Sequence, residues 1–268
     1  MDEDYRLWGN SSDEQISRIN KALDEFEPNL VFSEGFAGLD IKKVYPEIRK
    51  RKIPIFYWAI EDPITPHLAE AHLPYVDAIF TTTIERVSYY KSKGKYSKLL
   101  LFACNPEFHK TVPSEKKYEC DIVLVASNYS NRYDKAEWFI KPLIETGYDI
   151  HIWGIWWDDP NRPICLKDNP IYKGVLPYEE LAKAYCSAKI ILGMNCDDTS
   201  VTQTSMRPYE ALACGGGVFL AHYTQAQENI FRNHIFQAKN AEETKNLVDY
   251  LLSLSPEERK EHAKKAQK

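Results

Sequence analysis

At 268 residues, with 44% hydrophobic and 27% charged side chains, the chain can build one large or two modest domains and is too apolar for disorder. Its formal charge of −5 gives no electrostatic reason for a nucleic-acid partner. Six scattered cysteines without a C-x-x-C pair read as small core residues of a reduced, cytoplasmic protein, and no apolar run approaches the roughly 18 residues of a membrane span.

Behind a Ser-Ser-Asp start, Ile16, Ile19, Leu23 and Phe26 recur at helical spacing and predict a helix over 13–26. Strands follow at 29–33, 53–59, 77–82 and 98–103, separated by a charged helix near 40–51, a short helix after a Pro-rich loop, and a helix over 84–93. The basic run Arg49-Lys50-Arg51-Lys52 suits a solvated helix end, with a weak membrane-surface contact as the minor reading. Residues 104–119 lose periodicity and read as a linker. The alternation then restarts: strand 121–127, helix 133–147, strand 149–154, helix 178–187, strand 189–195, helix 208–214 and strand 218–221. A short strand near 234–238 and helices at 241–253 and 256–267 complete it. Alternating strands and helices predict parallel sheets, hence two α/β domains, 1–110 and 111–268, with a ligand cleft between them. Both ends look trimmed, with a first strand and a closing helix expected to be missing.

The stretch "MRPYEALACGGGVFLA" (206–221) concentrates the chemistry. Pro208 suits a first helical turn, where its missing N–H costs nothing, and Glu210 falls in that turn. The same geometry aims free N–H groups and Arg207 at whatever sits before the helix, an anion site. A carboxylate there suits sugar hydroxyls, and phosphate plus ribose means a nucleotide. One glycine would suffice at the helix end, so Gly215, Gly216 and Gly217 are expected to let a ligand approach the backbone closely. Trp153 lies on a predicted strand and reads as core. Trp156 and Trp157, in a loop, are candidates to stack on a sugar face. In "WAIEDP", Glu61 and Asp62 end a strand at the predicted cleft edge and are candidate general bases, as is nearby His67; a plain Asp-Pro turn is the alternative.

"RPYEALACGGGVFLA" resembles the donor-site signature of GT-B glycosyltransferases. "FYWAIEDP", "DAIFTTTIERVSYYKSKG", "SNYSNRYDKAEWFIKPL", "IHIWG" and "YKGVLPYEELAKAYCSAKIILGMN" fall in the order of the CgeB-like (spore maturation protein B-like) glycosyltransferases. The resemblance covers nearly the whole chain. It implies two Rossmann-like domains of the GT-B kind, the acceptor on the first and a nucleotide-sugar, such as a UDP-sugar, on the second. Glu210 would hold the ribose hydroxyls, and Gly215 to Gly217 would let the backbone close on the donor. Ser127, Arg132 and Lys135 would hold the diphosphate. Tyr172 would stack on the base unless it merely caps the core, and the backbone near Val175 would read the base edge. Similar sequences favour Asp62 over Glu61 as base.

Many retaining GT-B enzymes carry a second glutamate eight positions before the ribose one; Thr202 stands there, which leaves the stereochemical outcome open and leans toward inversion. Asp197-Asp198 is read as a loop or cap rather than a metal motif, and no cofactor is expected. The reading is transfer of a sugar to an acceptor hydroxyl on a glycan, protein or small molecule, in spore or cell-envelope maturation. An epimerase or hydrolase using the same pocket, or a non-catalytic binding module, are the rival readings.

Overall fold

A computed structural model of the protein describes residues 10–35 and 38–267. The backbone divides into two compact units, the first ending at Leu101 and the second beginning at Phe102.

The first unit runs α1 (Ser12–Phe26), β1 (Val31–Glu34), α2 (Ile41–Lys50), β2 (Ile55–Ala59), α3 (Pro66–His72), β3 (Ala78–Thr81), α4 (Ile84–Ser92) and β4 (Tyr96–Leu99). Each helix carries the chain back along the sheet, so the four strands pair in parallel in the order β1-β2-β3-β4. A capping box starts α1: Ser11 accepts from the Glu14 amide while the Glu14 carboxylate accepts from the Ser11 amide at 2.7 Å. Ile16, Ile19 and Leu23 of the predicted stripe pack with Val44, Tyr45, Ile55 and Tyr57, but Phe26, the last helical residue, is exposed. The strand expected at 98–103 forms at 96–99 instead, because its partner β3 ends at Thr81, opposite Leu99. The basic run is largely tied down within the unit. Arg49 pairs with Asp77, Lys50 with Glu47 and Arg51 with Asp24.

The second unit runs β5 (Cys120–Val125), α5 (Tyr133–Phe139), α6 (Lys141–Ile144), β6 (Ile150–Trp153), α7 (Leu181–Ser187), β7 (Ala188–Gly193), α8 (Arg207–Cys214), β8 (Val218–His222), α9 (Gln225–Phe231), β9 (Phe236–Ala238), α10 (Ala241–Ser253) and α11 (Pro256–Ala266). Its sheet is parallel throughout, in the order β6-β5-β7-β8-β9. Along β5, Ile122 and Leu124 enter one core with Phe139, Ile152 and Leu220. Val123 and Val125 enter the opposite one with Tyr185, Ile191 and Phe219. The single helix expected over 133–147 is broken after Phe139, where Pro142 lacks the amide to continue the ladder. The expected linker packs on this unit: Thr111 Oγ1 donates to Cys214 O at 2.8 Å and the Glu115 amide to Ser187 Oγ at 2.9 Å. Among the described residues no helix is long and apolar enough to cross a membrane.

Candidate functional site

The winding direction of the second sheet reverses between β5 and β7, so the segments leaving their carboxyl ends flank a crevice of the kind that takes ligands in open parallel sheets. After β5 the chain turns tightly over Ser130–Arg132 and enters α5. Arg132 Nη1 donates to the Ser127 carbonyl at 3.2 Å, its guanidinium lies 5.4 Å over the Tyr129 ring, and its Nε has no partner among the described residues. Only 7% of Arg132 is exposed, and burial holds its pKa below the usual arginine range. Lys135, equally buried on the first turn of α5, reaches Asp198 at 3.3 Å and Asp134 at 3.5 Å. Asp197 caps its own loop, accepting from the Thr199 and Ser200 amides. Among the described residues no group of three or more acidic, histidine or cysteine side chains is placed to hold a metal.

At the amino end of α8, Glu210 is 2% exposed, in the turn where the helix dipole favours a carboxylate. Arg207 Nη1 donates to Glu210 Oε2 at 2.5 Å, and the other oxygen, Oε1, lies 3.7 Å from His109 Nε2. In the loop before α8, Gln203 Oε1 and Ser205 Oγ are buried without a partner among the described residues. At the end of β8 so are both ring nitrogens of His222, which burial and the Lys135 charge push down to about 4. Most buried polar atoms in folded proteins are paired, so this concentration at one sheet edge is what a polar ligand would relieve.

The glycines do not belong to that edge. Gly215 is the left-handed C-cap of α8 (φ 61°), and the triplet enters β8 at its amino end, as every helix-to-strand connection of a parallel sheet does. A Cβ on Gly216 would stand 2.3 Å from Cys186 Cα, and one on Gly217 2.8 Å from Ala188 O. The close approach is therefore to the end of α7, not to a donor. Tyr172 packs against the core and its hydroxyl donates to Gly154 O at 3.0 Å, the capping alternative. Val175 is 64% exposed, on the segment between β6 and α7. Trp157 is a core residue, its indole N–H donating to Ala126 O at 2.6 Å, which removes it as a sugar platform. Trp156 remains partly exposed, with Arg162 at 4.7 Å from its ring centre.

In the first unit Asp62 is fully buried at the end of β2. Its Oδ2 accepts from Thr81 Oγ1 and Tyr90 OH, both at 2.7 Å, and Arg86 Nε lies 3.7 Å from Oδ1. A carboxylate so enclosed ties β2, β3 and α4 together and does not meet an acceptor hydroxyl, so its expected place as leading base is corrected. Glu61 is half-buried: Oε1 accepts from the Tyr57 hydroxyl, Oε2 has no partner among the described residues, and burial raises its pKa. Gly35 leaves room for it, since a Cβ there would be 2.3 Å from Glu61 Oε2. His67 stands exposed on the first turn of α3.

A protein-family model described as glycosyl transferase-like matches residues 132–268, more than half of the chain, and starts at Arg132 itself. The chain belongs to the glycosyl transferase-like family. No curated protein matches it by sequence. Among solved structures, T4 phage beta-glucosyltransferase is 16% identical with a TM-score of 0.60, over 92% of this chain and 79% of that one. The trehalose-6-phosphate synthase OtsA is 12% identical with a TM-score of 0.57, over 95% and 72%. S. aureus MnaA, solved with UDP, is 14% identical with a TM-score of 0.55, over 96% and 74%. At these identities the likeness fixes the fold, the parallel α/β fold of GT-B structures.

In this glycosyl transferase-like chain the structure brings together Ser127, Arg132, Lys135, Arg207 and Glu210 at one edge of one sheet. Sequence reasoning missed three residues beside them. His109 sits in the segment whose lost periodicity reads as a linker. His222 ends an ordinary apolar strand. Arg162, in an irregular loop, donates to Asn128 O and, at 2.7 Å, to Tyr133 OH, holding that loop against the turn after β5.

Proposed function

We propose that this protein is a glycosyltransferase taking a nucleoside-diphosphate sugar, a UDP-sugar first among them, at the carboxyl edge of the second sheet. The observation that carries the reading is Arg132, buried with its Nε unpartnered among the described residues, beside the buried Glu210 and its half-buried partner Arg207 at the switch point of that sheet. Arg132, with Ser127 and Lys135 beside it, is assigned to the diphosphate, and the amino end of α8 adds its positive dipole. As the anomeric carbon–oxygen bond breaks, negative charge grows on the departing diphosphate, where fixed donors stabilise it most. Glu210 is assigned to the ribose hydroxyls, and the segment near Tyr172 and Val175 to the base. In the first unit Glu61, whose raised pKa suits a proton acceptor near neutral pH, is assigned to the acceptor hydroxyl. UDP in MnaA and UDP-glucose in a T4 phage glucosyltransferase variant, both of like fold, support the donor class. The ordered motifs support a CgeB-like member acting on spore or envelope acceptors.

Calorimetric titration with UDP, GDP and dTDP, comparing the natural chain with Glu210→Ala, tests the reading. One nucleotide is expected to bind, and the substitution to weaken it by about tenfold or more, as loss of a charged hydrogen-bond acceptor does. If none binds, the donor site is rejected.

A further inference from the structure

Beyond the residues that a donor would touch, we infer that His109 is the positioning residue of the Glu210 carboxylate, fixing the oxygen offered to the ribose; this rests on the donor reading above. Arg207 occupies Glu210 Oε2, which leaves Oε1 as the oxygen open to a ligand, and His109 Nε2 lies 3.7 Å from it. The tautomer follows from the backbone. The Asn105 amide donates to His109 Nδ1 at 3.0 Å, so Nδ1 is the acceptor and Nε2 carries the hydrogen. That N–H faces the Tyr178 hydroxyl at 3.1 Å and Glu210 Oε1.

The imidazole is itself held rigidly. Asn105 O accepts from the His109 amide at 2.8 Å and Asn105 Oδ1 from the Glu107 amide at 3.0 Å, closing a turn around the ring. The side chains of His109 and Glu210 are each only 3% exposed. A buried carboxylate is oriented by the donors around it, and here one donor grips Oε2 while the other stands off Oε1. At 3.7 Å the imidazole makes no hydrogen bond to Oε1, since its N–H is directed to the Tyr178 hydroxyl; the positive edge of the ring orients that oxygen electrostatically and leaves it free for a ribose hydroxyl. His109 lies outside the residues that the family model matches.

The consequence is a preference for ribose that depends on His109. The test is the ratio of affinities for UDP and 2′,3′-dideoxy-UDP, measured by calorimetry on the full chain. His109→Asn keeps an acceptor at the Nδ1 position and loses the Nε2–H; His109→Gln keeps an N–H near Nε2. The Asn variant is expected to lower the ratio about tenfold by weakening UDP alone, and the Gln variant to retain most of it. An unchanged ratio in His109→Asn overturns the inference. Should that variant not fold, nitrogen-15 shifts of the His109 ring in the natural chain decide. They are expected to move with UDP and not with the dideoxy nucleotide, and equal shifts overturn the inference. UDP binding that depends on Glu210 but not on His109 overturns this inference alone. Absence of nucleoside-diphosphate binding overturns the donor reading with it.

Discussion

Arg132 is held where a cation is poorly served: it is 7% exposed, beside the Ser127 carbonyl, the Tyr129 ring and the Cys196 thiol, with an Nε without a partner among the described residues. Burying a charge without a counter-charge costs several kcal/mol, so removing it is neutral or stabilising unless a ligand needs it. Arg132→Met is therefore expected to leave the melting temperature unchanged or raised, while the affinity for a nucleoside diphosphate falls by roughly 10- to 100-fold. Thermal melts beside calorimetry check this; a fall in stability with intact affinity would make Arg132 a structural residue. As candidates, Glu210 could be singled out from its place in the first turn of a helix behind Pro208, and Arg132 through the family resemblance. His109 and His222 could not. Their surroundings are assembled from Asn105, Tyr178 and Glu210 in one case and α5 with the loop after β7 in the other, and no local spacing encodes such meetings.

At the scale of elements, the glycine triplet shows what a motif can and cannot tell. Three glycines announce a tight turn, but only the topology places that turn at the amino end of β8 and hence away from the ligand edge. Because a Cβ on Gly216 meets backbone rather than a movable side chain, Gly216→Ala is expected to cost about 1–3 kcal/mol by overpacking. Nucleotide affinity of the folded protein should stay unchanged. Urea titration and calorimetry on the same variant separate the two; a variant of full stability that binds UDP weakly would return the triplet to the donor site. The turn after β2 behaves alike. Asp62→Ala strips Thr81, Tyr90 and Arg86 of a shared partner and is expected to destabilise the first unit by roughly 3–5 kcal/mol. Hydrogen exchange resolved by unit reads that loss. Helices with strong local signals, such as α1 and α11 with their capping boxes, stand as expected. The seven-residue α9 escaped because its one signal is Thr224 accepting from the Gln227 amide, in a run too short for periodicity.

For the molecule as a whole, strand and helix alternation was readable because each element carries its own pattern, whereas the order β6-β5-β7-β8-β9 depends on which strands meet and had to come from the fold. The two units also differ in how acid should affect them. In the second, burial pushes His222 down to about 4 and lowers His151. An unfolded histidine titrates near 6.5, so below that pH the unfolded chain binds protons that the native state refuses. The stability these neutral rings contribute is complete above about pH 6.5 and drains away toward the folded pKa, about 2 kcal/mol for His222 by pH 5. The first unit has one such ring, His72, also near 4, but its Glu61 and Asp62 carry raised pKa values. Those carboxyls take up protons more readily folded than unfolded, which returns stability as the pH falls through their folded values. The second unit is therefore expected to loosen first on acidification. Hydrogen exchange between pH 7.5 and 5, corrected for the intrinsic rate, should show protection lost in β5 to β9 before β1 to β4. In His222→Phe, whose ring packs against Trp138 and Phe139 without needing a partner, the difference should shrink. Equal loss in both sheets, or no change in that variant, would overturn the assignment of the acid sensitivity to His222.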